Sequence, residues 1–193
     1  MRAPLRFAPL IVAALLSCAA PAAETSDPAM AAAAPSVTAD LLADIGQVES
    51  KIVGLARAIP ANRYNWKPSP EVRTVAQVFK HIAADNYMMP AALGYAPDPS
   101  TGIKGDDYAT TQAFEAVDMT PEQIIGELER SFAFVKTSLQ NANSAALGDK
   151  VTMFGMEFTA QQVWIMTATH VHEHLGQMIA YARSIGIAPP WSN

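Results

Sequence analysis

Leu41, Ile45, Val48, Ile52, Leu55 and Ile59 recur at alternating spacings of four and three. Only a helix of about 3.6 residues per turn gathers all six on one side, and the stripe so formed must be buried against another element. This places a first helix near Thr38 to Ile59. A second is predicted from Thr74, read as its N-cap, through Val75, Val78, Phe79, Ile82, Met89 and Leu93 to Gly94, with Pro90 expected to kink or split it. A third opens on Thr120-Pro121-Glu122-Gln123, a capping box with proline at the first helical position, and carries Ile124, Leu128, Phe132, Val135 and Leu139. A fourth opens on the capping box Thr159-Ala160-Gln161-Gln162 and ends at Gly186. Between the last two, Val151 to Phe158 is too short for more than a hairpin-like loop. The expected fold class is all-α, a four-helix bundle.

The chain has 193 residues, 50% of them hydrophobic and 16% charged, enough apolar surface for one compact domain. Its formal charge is −5 and no window gathers Lys and Arg, so nucleic acid is not an expected partner. The N-terminus reads as an export signal: Arg2 and Arg6 precede an apolar run from Ala8 to Leu16, interrupted only by Pro9 and followed by small residues. That run is shorter than the roughly 20 residues a bilayer span needs. Leu15-Leu16-Ser17-Cys18 resembles a lipobox, which makes residues 1–17 a signal peptide and Cys18 the lipidated first residue; the alternative is ordinary cleavage among Ala19 to Ala23. The lipobox is preferred because the only cysteine in the chain falls where it is needed. Residues 18–35 read as a flexible Ala/Pro linker, and 36–193 as the folded domain. The expected location is the periplasm or cell envelope, with membrane contact only through the lipid.

Three of the four histidines lie in Thr169-His170-Val171-His172-Glu173-His174-Leu175-Gly176-Gln177, on the fourth helix. At about 100° per residue, His170 and His174 sit about 40° apart and one turn, about 6 Å, along the same face. His172 points nearly the opposite way, and Gln177 returns to the His170 face. Two imidazoles so placed can share one divalent ion. Familiar alternatives fail. The protease pattern H-E-x-x-H beginning at His172-Glu173 would need a histidine where Gly176 stands. No partner motif supports a ferritin-like dimetal site, and there is no G-x-S-x-G elbow. His81 lies at the edge of the second helix's apolar arc, with Asp85 one turn on. If the second and fourth helices are neighbours, His81 completes a three-nitrogen site with open coordination positions; otherwise it is an ordinary buried histidine. Asp85 shares its face and is the candidate general base, while Glu173 and Gln177 are candidates to orient a ligand imidazole or touch substrate. Tyr64-Asn65-Trp66-Lys67-Pro68 either lines a pocket mouth or covers a bundle end.

Taken in order, Ile59-Pro60, Tyr64-x-Trp66-x-Pro68-x-Pro70, His81-Ile82-Ala83, His170-x-x-x-His174-x-Gly176-Gln177 and Tyr181-x-Arg183 with Pro189-Pro190-Trp191 resemble the DinB superfamily from about Ser36 to the last residue. The resemblance implies a four-helix bundle, often a homodimer, whose His81, His170 and His174 bind a divalent metal such as Ni or Zn. It also implies one of several activities: thiol S-transfer, mycothiol-dependent isomerisation or metal-dependent hydrolysis. An export signal disfavours the thiol branch, because low-molecular-weight thiol cosubstrates are chiefly cytoplasmic. The expected function is therefore that of a metal-dependent hydrolase acting on a small molecule through metal-activated water. The alternative is an exported metal-binding or interaction module without turnover.

Overall fold

The computed structural model describes residues 36–192. The expected signal peptide, the lipidation at Cys18 and the linker over 18–35 lie outside the described residues. Within them the helices are α1 (Val37–Ala58), α2 (Val75–Ala92), α3 (Ala109–Ala116), α4 (Pro121–Gln140) and α5 (Ala160–Ser184). The strands β1 (Lys150–Met153) and β2 (Met156–Thr159) form an antiparallel hairpin with Val151 opposite Phe158. Its turn uses Phe154 at φ 54° and Gly155 at φ 72°, the left-handed pair that a two-residue hairpin requires.

The caps explain why the helices begin where they do. Thr74, Thr120 and Thr159 each accept from the backbone of a glutamine three residues on, and that glutamine's side chain accepts from the threonine's own N–H. Two otherwise orphaned donors are satisfied at each start. Pro90 does not split the second helix. It sits in the last turn of α2, which stops two residues later at Ala92, before Gly94 takes φ +91°.

Helices α1 and α2 each pack between α4 and α5, so they occupy diagonal corners of a bundle. α1 and α4 run antiparallel, since Arg57 pairs with Glu129 and Glu49 with Lys136. α2 and α5 are also antiparallel, with Tyr181 bonded to Arg73 at one end and Tyr95 against Trp164 at the other. Fully buried side chains from all four long helices fill the centre, among them Ile52, Phe79, Phe132 and Trp164.

The structure adds α3, which the apolar period does not predict. It lies against α2 and covers the side of α2 that a four-helix bundle leaves to solvent. Every residue of α2 from Val78 to Pro90 is consequently buried, including Lys80, His81, Asp85 and Asn86. Polar groups taken out of water in this way must find partners inside the protein.

Candidate metal centre

The α2–α5 pairing brings His81 against the middle of α5. His81 Nε2 lies 3.2 Å from His170 Nε2, which lies 3.1 Å from His174 Nε2. One ligand atom from each of the three histidines lies within 4.8 Å of the others. An ion at about 2.0–2.1 Å from three imidazole nitrogens sets neighbouring nitrogens about 3 Å apart.

Hydrogen bonds at the far side of the rings decide which nitrogen faces inward. Tyr181 Oη donates to the Arg73 carbonyl at 3.2 Å, so its oxygen is left to accept from Gln177 Nε2, also at 3.2 Å. That turns Gln177 Oε1 toward His174 Nδ1, 2.8 Å away, which must carry the proton. His81 Nδ1 lies 2.8 Å from Glu115 Oε1, an acceptor only, and is protonated for the same reason. Both rings therefore turn an Nε2 lone pair toward the centre. Arg73 serves both arms, since its Nε lies 3.4 Å from Glu115 Oε2.

His170 Nε2 has three close neighbours: His81, His174 and Asp85 Oδ2, the last at 3.1 Å. A single proton on it serves one of them. Asp85 Oδ2 is also 3.7 Å from His81 Nε2, and Asp85 Oδ1 is buried without a hydrogen-bond partner. Converging lone pairs beside an unpartnered buried carboxylate oxygen repel one another, and a divalent cation converts that repulsion into attraction. Imidazole nitrogens with a flanking carboxylate suit zinc or nickel better than magnesium or calcium. The residues fit such an ion.

Not every sequence candidate joins the cluster. His172 is exposed and bonds Asp44 Oδ2 on α1 at 2.8 Å. Glu173, expected as an orienting residue, is exposed and makes no hydrogen bond or ion pair to the cluster among the described residues. One position is about 100° of helix, enough to turn Glu173 to solvent beside His174. Glu115 on α3 is the carboxylate that orients a ring, and its helix is too short to announce itself by period. Gln177 reaches the cluster as an orienter of His174. Tyr64 is buried with its hydroxyl on the Ala56 carbonyl, and Trp66 meets Tyr181 edge-on at 5.6 Å, so this stretch closes the bundle end and supports the Tyr181–Gln177 arm.

Burial pushes the His174 pKa down to about 4, with charge on His170 and His81 adding to the shift and the Gln177 bond opposing it. The unfolded chain protonates this ring near its ordinary value of about 6.5. Between those values the unfolded state binds the extra proton, so metal-free protein loses stability as pH falls from about 6.5 towards 4, by an amount on the order of 3 kcal/mol. Above about 6.5 the His174 contribution does not vary. Thermal melts of chelator-treated protein across this range should show the decline, and His174→Gln should flatten it.

A family model described as the DinB superfamily matches residues 45–178. The chain belongs to the DinB superfamily. Solved structures share the DinB fold. A DinB-like protein from Bacillus cereus ATCC 10987 is 16% identical, with TM-score 0.64 over 79% of this chain and 95% of that one. A conserved protein from Enterococcus faecalis is also 16% identical, with TM-score 0.65 over 78% and 97%. The mycothiol-dependent maleylpyruvate isomerase is 14% identical, with TM-score 0.62 over 73% of this chain and 60% of its own. Identities this low speak for the fold of the DinB domain alone. No curated protein matches the sequence.

Proposed function

We propose that this DinB protein holds a divalent metal, zinc or nickel, on Nε2 of His81, His170 and His174 and uses it to hydrolyse a small molecule. The observation that carries the reading is the forced convergence of the His81 and His174 lone pairs on His170 Nε2 beside Asp85, which is only 5% exposed and keeps Oδ1 without a donor. A divalent ion at such a position polarises a substrate oxygen and makes water nucleophilic at neutral pH. The protein's part is to hold and orient. Glu115 and Gln177 fix the two rings, and Asp85 Oδ1 is the atom left free to take a proton. Burial of His81, Asp85 and His174 keeps bulk water from screening these interactions.

Elemental analysis of purified protein, followed by a panel of esters, amides and phosphoesters with and without chelator, tests the reading. Asp85→Asn should keep the carboxylate's shape, lose the base and lower kcat by about 100-fold or more. Fully metallated protein with no chelator-sensitive turnover would instead favour the non-catalytic metal-binding module. Export belongs to the same proposal: mass spectrometry of membrane fractions should find a mature chain beginning at a lipidated Cys18. A soluble chain beginning between Ala19 and Glu24 would exclude the lipid anchor.

A further inference from the structure

Lys80 precedes His81 on α2 and is 8% exposed. A lysine is rarely buried unless its ammonium group has a partner, because desolvating the charge is costly. Here Nζ donates to the Val117 carbonyl at 2.8 Å. Val117 is the C-cap of α3, where the helix exposes unpaired carbonyls and a partial negative charge that a cation offsets. Glu115, which accepts from His81 Nδ1, stands two residues before that cap.

Helix α3 is only eight residues long, below the length at which a helix sustains itself in water. Its buried contacts are few. Phe114 meets the Tyr87 ring edge-on at 6.0 Å, and Thr111 is fully buried with its hydroxyl on the Tyr108 carbonyl. Phe114 anchors the last turn and Arg73 Nε lies 3.4 Å from Glu115 Oε2, but neither holds the terminal carbonyl of the helix. The Lys80 ammonium does, from the residue adjoining His81.

We propose that Lys80 is a positioning residue: by pinning the terminal carbonyl of α3 it holds Glu115 against His81 Nδ1 and so fixes which nitrogen of His81 faces the cluster. The inference rests on the metal reading for its consequence, but the His81 tautomer can be read without metal. A long cation is suited to this task because its alkyl stem can be buried while its head reaches the carbonyl.

The test uses the folded protein in two arms. In the first, metal-free protein is titrated with Co²⁺. Lys80→Met, which keeps the apolar stem, should weaken binding about 10-fold, the lower end of what loss of an outer orienting partner costs. Because Lys80 acts through Glu115, the Lys80→Met/Glu115→Gln double variant should bind within about twofold of Glu115→Gln alone. Lys80→Gln keeps a donor and should recover much of the affinity. In the second arm, nitrogen-15 shifts of the His81 ring in metal-free protein should show the Nδ1–H form in the wild type and its partial loss in Lys80→Met. Affinity within twofold of wild type and an unchanged His81 tautomer, even with a lowered Tm, would make Lys80 merely structural and overturn the proposal. Fully multiplicative losses in the double variant would also overturn it. A wild type that takes up no Co²⁺ would defeat the metal reading, while the ring shifts would still decide the role of Lys80.

Discussion

His170→Ala should lower affinity for zinc or nickel by well over 100-fold, whereas His172→Ala should leave it within about twofold. Loss of an outer orienting partner costs about 10–100-fold in metal affinity, and removing a direct donor costs more. His170 Nε2 stands between the other two nitrogens, at 3.2 and 3.1 Å, so its removal leaves His81 and His174 without the donor that links them. His172 lies two positions further along the same helix and bonds Asp44 on α1 instead. Isothermal titration of metal-free variants measures the contrast. Equal losses at both positions would mean that the inward face of α5 has been misassigned.

Gly105→Ala should be among the most damaging single substitutions in the domain. A Cβ at Gly105 would come within 2.2 Å of Ala92 N and 2.3 Å of the Ala91 carbonyl carbon, both backbone atoms at the end of α2. A flexible side chain could move aside, but a helix backbone cannot, so the turn that leads into α3 has to shift. Overpacking of this kind costs about 1–3 kcal/mol, and backbone obstruction argues for the upper end. For a domain of this size, 3 kcal/mol is about 6–12 °C in Tm. The displaced turn feeds α3, so the Glu115–His81 bond should weaken as well. Gly105→Ala should thus lower both Tm in differential scanning calorimetry and metal affinity by titration. At Gly46 a Cβ would meet nothing within 4 Å, so alanine there should leave metal affinity unchanged.

The long helices were legible because their information is local. A stripe at spacings of three and four, a threonine followed three residues later by glutamine, and a glycine after the last turn each act within one or two turns of helix. The same local geometry turns His172 away from His170 and His174. Helix α3 was not legible: with Thr111 and Phe114 as its only buried residues, eight residues offer too little period to separate a helix from a turn.

The sequence by itself therefore determined the three threonine caps, the buried stripes of three helices and the shared face of His170, His174 and Gln177, because 3.6 residues per turn and a few side-chain bonds to nearby N–H groups suffice for each. Tertiary structure decided what surrounds that face. The diagonal placement of α1 and α2 set α5 beside α2 and delivered His81 and Asp85 to the cluster. The packing of α3 on α2 buried Lys80 and brought Glu115 to His81, across 34 residues. Glu173, one residue from His174, was left in solvent. Which carboxylate orients an imidazole depends on distances across helices, and these are set by core packing that no local spacing encodes.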